Sequence, residues 1–382
     1  MTFDFDTIID RTGSDSRKWR KYAGQDTLPL WIADMDFAAP PAVVAALHRR
    51  VDHGVFGYGM PLPPLTRAVV DYCASHYGWK IEPSWLVWLP GLVTGLNLAA
   101  GAFGEKGDAI LTCTPVYPPF TSAPKNMGRE VIKVPLARRG SHYEFDWAAL
   151  EQAVTPRTRL FFLCSPHNPV GRVFTRAELE QVAAFCERHN LILVSDEIHC
   201  DLILDNLPHI PAATLAPAAA MRTITLLAPS KTYNIPGLAC AFAVISDARL
   251  RTTFVRAMAG IVPEMNVLGL AACEAALRDS ESWRQALLAY LRGNRDLLAS
   301  FTAQNLPGVT LLPCAATYLA WLDVSAHRLD NPAEFFEHHG VGLSDGVQYG
   351  APAGHFVRLN FGCPRATLAE ALNRMRRALA SR

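Results

Sequence analysis

RLFFLCSPHNPVGRVFTRAELEQVAAFCERHNLILVSDEIH, residues 159–199, is the stretch that decides the fold. It opens on an apolar run, Arg159–Cys164, and ends on a second one, Leu191–Ser195. Between them, Thr175-Arg176-Ala177-Glu178 has the pattern of a capping box, in which the threonine and the glutamate each satisfy the other's free backbone N–H. Beyond it, positions 179, 182, 183 and 186 are apolar at helical spacing, which predicts a helix running to about His189. Two strands apolar on both faces, joined by a helix, form one repeat of a mostly parallel α/β sheet.

Further strands extend the sheet in both directions. Ala109–Thr112, Thr223–Leu227 and Ala241–Ile245 are apolar runs of strand length. After about residue 275 the pattern changes. A long helix, Trp283–Gln304, leads to Val309–Leu312 and Thr317–Leu322, then a helix near 332–339, a strand at 355–360 and a final helix from Leu368. The expected organisation is a segment 1–45 that wraps onto a smaller α+β domain, a large domain over 46–275, and the small domain over 276–382.

Sheets of this kind bind ligands at the carboxyl ends of their strands. Four features lie there. Lys231 follows the strand ending at Leu227; it is either a surface loop lysine or a buried amine with the lowered pKa that a Schiff-base lysine needs. Asp196 follows Ser195; it either caps the next turn or faces a ring nitrogen. Glu197 beside it reads as structural. Asn168 lies in Ser165-Pro166-His167-Asn168-Pro169-Val170-Gly171, a turn by composition, where its amide could donate to a ring oxygen. Pro90-Gly91-Leu92-Val93-Thr94-Gly95 precedes Leu96–Phe103 and offers free N–H groups to a phosphate.

Composition narrows the function classes. Of 382 residues, 50% are hydrophobic and 19% charged, with net charge +1, a globular composition that argues for neither nucleic acid nor an anionic membrane as partner. Arg17-Lys18-Trp19-Arg20-Lys21 is too short for a binding arm and reads as a solvated segment. No run reaches the roughly 18 apolar residues of a membrane span, and the start lacks the apolar core of a signal peptide. Nine scattered cysteines without Cys-x-x-Cys fit a reduced, cytoplasmic setting, and no Cys/His grouping has metal-site spacing.

The motifs together resemble fold-type I pyridoxal phosphate (PLP) enzymes, the aminotransferase class I/II superfamily, and within it the MalY/PatB group of C–S lyases, the cystathionine β-lyases. The resemblance covers nearly the whole chain. Its signatures are Asp10-Arg11, Lys18-Trp19, Trp31–Phe37, His53–Tyr58, Thr114–Tyr117, Cys164–Pro169, Ser195–His199, Ser230–Pro236, Thr317–Asp323 and Val357–Pro364. It implies an α/β fold with a large PLP-binding domain and a smaller α+β domain. It also implies that Lys231 carries PLP, that Asp196 pairs with the ring nitrogen, that Asn168 and His199 bond the ring oxygen and that Tyr117 stacks on the ring. Val93 and Thr94 N–H groups and the Ser230 hydroxyl would hold the phosphate, and Tyr58 would reach the phosphate of the neighbouring subunit in a homodimer. Arg358 would clamp the substrate carboxylate, with Ala33 giving a backbone contact. Two positions depart from the superfamily: Ala239 stands where an arginine often serves the phosphate, and Ala228 where a serine is common. The implied activity is β-elimination of cystathionine or a related cysteine S-conjugate to thiol, pyruvate and ammonia. The alternatives are an aminotransferase of the same fold and a non-catalytic PLP- or partner-binding regulator. Residues 345–355 and the loop 258–266 are expected to shape the substrate pocket.

Overall fold

Seven strands form the central sheet of this computed structural model, which describes residues 3–351 and 355–381. In chain order they are β1 (Leu86–Leu89), β2 (Ala109–Thr114), β3 (Glu130–Pro135), β4 (Thr158–Cys164), β5 (Ile192–Asp196), β6 (Thr223–Leu227) and β7 (Ala241–Val244). They lie side by side as β1-β7-β6-β5-β4-β2-β3. β7 runs antiparallel to both neighbours, and the other pairings are parallel. The reason is visible in β4: Leu160, Phe162 and Cys164 enter the core on one face, while Phe161 and Leu163 enter the core on the other. A strand buried on both faces needs helices on both, and βαβ crossovers supply them.

The capping box is formed as expected. Glu178 N–H donates to Thr175 Oγ1 at 3.2 Å, and Thr175 N–H donates to Glu178 Oε2 at 2.8 Å, opening the helix Arg176–Arg188. The strand order brings the carboxyl ends of β4, β5 and β6 together, so the segments after Cys164, Asp196 and Leu227 meet at one edge.

The helices Val267–Asp279 and Glu281–Asn305 lead to a second sheet of four antiparallel strands. Thr310–Leu311, Leu319–Asp323, Phe356–Asn360 and Ser344–Asp345 lie in that spatial order. The final helix, Arg365–Ala380, starts three residues before Leu368, because Leu368 is only its first buried position and the opening turn is solvated. The N-terminal stretch is tied to this sheet: Leu28–Pro29 pairs in parallel with Val341–Gly342, and Asn360 N–H donates to the Leu30 carbonyl at 2.9 Å.

The basic run 17–21 is not uniformly solvated. Lys18 is 1% exposed, and its ammonium lies 2.7 Å from the Asp36 carboxylate and 3.0 Å from the Asp34 carbonyl. Burial of that one charge is possible because Asp36 also accepts from Arg11 (2.6 Å) and the Trp19 indole (3.0 Å).

Candidate active site

At the meeting edge of β4, β5 and β6 lies a cavity of about 460 Å³. Ala33, Val93, Thr94, Tyr117, Asn168, Asp196, His199, Ser230, Lys231 and Arg358 all line it. These are ten of the eleven residues singled out from the sequence. The eleventh, Tyr58, does not enter its own chain's cavity and is 98% exposed.

Lys231 sits in the turn after β6. Its Nζ donates to the Ala33 carbonyl at 2.8 Å, a carbonyl shared with the Tyr318 hydroxyl at 3.0 Å. Burial pulls the amine down to about 8; Asp34 opposes that shift, Arg358 adds to it and Asp196 opposes it. Asp196 ends β5. Its carboxyl is pushed up to about 7, chiefly by burial; the Ile198 N–H pulls it down, Glu197 pushes it up and Lys231 pulls it down. His199 is buried and its Nδ1 has no hydrogen-bond partner; burial first, then the charges of Lys231 and Arg358, hold the ring neutral, with its pKa lowered to about 3.

Arg358, in the strand Phe356–Asn360, is 3% exposed. Its guanidinium donates to Asn168 Oδ1 (3.1 Å), the Trp31 carbonyl (2.6 Å) and Ser344 Oγ (3.3 Å), and lies 4.9 Å from the centre of the Tyr349 ring. Among the described residues no carboxylate touches it, and its Nε is buried without a partner. A buried guanidinium with spare donors is built to meet an anion. Glu197 is spent on structure: it accepts from Ser195 (2.8 Å), the His209 ring (2.8 Å) and Ala212 N–H (2.9 Å).

The helix Leu92–Ala102 points its N-terminus at the cavity, with the first N–H groups, those of Leu92, Val93 and Thr94, ahead of its first internal bond from Gly95 to the Gly91 carbonyl. It closes on the sheet through Gly95, where a Cβ would come within 3.0 Å of Leu226 and 3.1 Å of Leu89. Ala228 and Ala239 also line the cavity, so neither departure from the superfamily pattern is replaced by a polar side chain there.

Several contributors carried no assigned role from sequence. The strap Trp31–Phe37 borders the cavity through its first three residues, with the carbonyls from Trp31 to Asp34 held one by one. Trp31 is held by Arg358 and Ser344, Ile32 by Asn360, Ala33 by Lys231 and Tyr318, and Asp34 by Lys18 and Asn360. Asn234, three residues after the lysine and at φ +54°, donates to the Met35 and Phe37 carbonyls and accepts from Met35 N–H. Ser344 has no local signal at all. Of the stretch 345–355, Gln348 and Tyr349 line the cavity, and residues 352–354 lie outside the described residues. The loop 258–266 does not line this cavity. It borders a separate surface cavity of about 820 Å³ with Gly59, Met60 and Pro61, because the Gly59–Met265 bridge holds it against that segment.

Chemically, the site offers a nucleophilic amine, a buried carboxyl group, an anion-ready helix N-terminus and a buried guanidinium, around a slot bounded by Tyr117. The chain is 37% identical to the cystathionine β-lyase PatB of Bacillus subtilis, over 98% of this chain and 100% of that protein. The crystal structure of OvoB matches with a TM-score of 0.96 at 47% identity, covering 100% of both chains. Cystalysin from Treponema denticola, whose crystal structure contains a pyridoxal 5'-phosphate cofactor, matches with a TM-score of 0.96 at 31% identity, again over 100% of both. The pattern of the aminotransferase class I and II family spans residues 25–375, and the chain belongs to that family.

Proposed function

We propose that this chain is a PLP-dependent carbon–sulfur β-lyase, cleaving cystathionine or a related cysteine S-conjugate to thiol, pyruvate and ammonia. The observation that carries the proposal is the Lys231 amine, depressed to about 8, facing a cavity that also holds Asp196 and the carboxylate-free Arg358, in a chain that matches PatB from end to end.

The cavity fits the cofactor. Among the described residues, two buried polar atoms, His199 Nδ1 and Arg358 Nε, lack partners, and the Asp196 carboxyl has no cation bonded to it. When bound, PLP supplies an electron sink for negative charge at the substrate Cα. Lys231 would carry it, and the Asp196 carboxyl group would pair with its ring nitrogen. Asn168 and His199 would bond its ring oxygen, and Tyr117 would stack on its ring. The N–H groups of Val93 and Thr94, with the Ser230 hydroxyl, would hold its phosphate. With alanine at 228 and 239, that end of the site depends on Tyr58 of the partner subunit in a homodimer. The exposed Val55, Phe56, Met60 and Leu62 around Tyr58, and the cavity bordered by 258–266 beside them, supply the apolar surface for such contact.

Arg358 binds the substrate carboxylate in a two-pronged contact, and Ala33 lends a backbone contact. Lys231 Nζ, once free, takes the α-proton as general base. The C–S bond then breaks with its electron pair leaving on sulfur, and the thiolate takes up a proton; water converts the remaining three carbons to pyruvate and ammonia. An aminotransferase would return the proton elsewhere and need a keto-acid acceptor. All nine cysteines are free and buried, which fits action in the reducing cytoplasm.

The test is to incubate purified holoenzyme with cystathionine and assay thiol and pyruvate, with and without a keto acid. Equal release in both conditions is the expected result. Consumption of the keto acid with no thiol or pyruvate released points to transamination, and an inert PLP-bound protein points to a regulator.

A further inference from the structure

Arg17 is the first residue of the short helix Arg17–Arg20 and is exposed to solvent, yet its side chain lines the active-site cavity. Three other cations on the same N-terminal stretch meet carboxylates: Arg11 meets Asp34 and Asp36, Lys18 meets Asp36, and Lys21 meets Glu337; among the described residues Arg20 meets none, but it does not line the cavity. Arg17 does not meet one either. Among the described residues it makes no hydrogen bond or ion pair, and its guanidinium carbon lies 6.0 Å from the centre of the Trp31 ring.

That position is fixed from below. Lys18, next in sequence, is anchored in the interior by Asp36, and the Lys18 carbonyl accepts from the Trp31 indole at 3.1 Å. Trp31 therefore touches both guanidinium groups of the cavity. Its carbonyl accepts from Arg358 at 2.6 Å, and its ring faces Arg17. Arg17 points inward electrostatically as well: burial raises the Tyr117 hydroxyl pKa, and the charge of Arg17 is among those that oppose the rise. Three cations, Arg17, Lys231 and Arg358, line the cavity against one acid, Asp196. Such a cavity concentrates anions. Arg358, buried and held among Asn168, Trp31 and Ser344, suits the substrate's own carboxylate. Arg17, solvated and uncommitted at the outer end of the same residue, suits a second one.

We propose that Arg17 is a specificity-determining residue that binds an anionic group at the far end of the sulfur leaving group, so that the preferred substrates are L-cysteine S-conjugates ending in a carboxylate or a similar anion. This deepens the lyase proposal and rests on it for the identity of the leaving group. It does not rest on it for binding. A planar guanidinium offers paired donors to a carboxylate and has nothing equivalent to offer a neutral amide of the same shape.

The experiment uses the PLP-loaded wild-type enzyme and its Arg17→Gln variant with two ligands that cannot lose sulfur. They are L-2-aminopimelate, in which a methylene replaces the sulfur of S-(2-carboxyethyl)-L-cysteine, and its ω-amide. Calorimetric titration is expected to show the diacid binding wild type at least about fivefold more tightly than the amide, the size of a good solvated ion pair. Arg17→Gln should erase that preference by weakening the diacid alone. Equal affinities in wild type, no measurable binding of the diacid, or equal weakening of both ligands by the variant would each overturn the proposal. Separately, S-(2-carboxyethyl)-L-cysteine is assayed for pyruvate release. No pyruvate alongside an intact calorimetric preference rejects the lyase chemistry and leaves the anion site standing.

Discussion

At the scale of single residues, the site is organised by what each buried charge is left facing. Lys231 donates to the Ala33 carbonyl and, among the described residues, has no carboxylate within bonding distance, so burial is the largest influence on it and brings it to about 8. The sign follows directly: below about pH 8 the amine is protonated and unreactive toward an aldehyde, and above it the amine is free. The rate at which apoprotein recovers its visible absorbance on adding PLP should therefore rise through about pH 8 and level off. An ordinary surface lysine would still be gaining at pH ~10. Stopped-flow absorbance across that range checks this, and a rate still climbing at the top of it rejects the depressed amine. Lys18 shows the opposite arrangement, a buried amine paired with Asp36 at 2.7 Å. Lys18→Met leaves Asp36 buried with only Arg11 and Trp19, and should lower stability by roughly 2–4 kcal/mol in denaturant titration. A loss within experimental error would mean that Arg11 alone compensates. Lys231, Asp196, Asn168 and Arg358 were legible in the sequence because each sits in a motif at a strand end or within a strand. Lys18 and Arg17 were not. Their burial and direction depend on Asp36 and Trp31, whose approach is a tertiary event that a run of basic residues does not signal.

At the scale of elements, what could be read was periodicity and capping, and what could not was where loops travel. The capping box at Thr175 and Glu178 formed as its spacing predicts, since both partners lie within one turn. The loop 258–266 lies away from the cavity, held beside residues 59–61 by the Gly59–Met265 bridge among other contacts, and an isolated bridge leaves no periodic trace. The helix Leu92–Ala102 carries the sharpest element-level test. Its N-terminus reaches the cavity because Gly95 lets it lie against Leu89 and Leu226, where a Cβ would sit at 3.0–3.2 Å. Gly95→Val should push the helix outward, reduce stability by roughly 1–3 kcal/mol and weaken PLP binding through the displaced N–H groups of Val93 and Thr94. Equilibrium dialysis of PLP against wild type and variant, with circular dichroism to verify folding, measures both effects. Undiminished PLP affinity in a folded variant would show that the phosphate is held elsewhere.

At the scale of the whole molecule, the chain's own cavity gathers every assigned group except Tyr58. That residue is 98% exposed in a segment whose neighbours Val55, Phe56, Met60 and Leu62 are exposed as well. A two-fold dimer would bury this surface and send each tyrosine into the other's site. If so, one active site is assembled from two chains, and defects on different chains must complement. Lys231→Ala removes the amine from its own cavity, and Tyr58→Ala removes the tyrosine from the partner's. Each homodimer should be impaired, the first completely. In a hybrid, one site receives both defects and the other receives neither. Unfolding and refolding the two variants together at equal concentration should place half the chains' partnerships in hybrids, and so restore roughly a quarter of wild-type lyase activity. Pyruvate release from the mixture, compared with each variant refolded alone, reads this directly. Recovery no greater than the mean of the two separate variants would confine Tyr58 to its own subunit and leave the phosphate end of the site without its second-chain support.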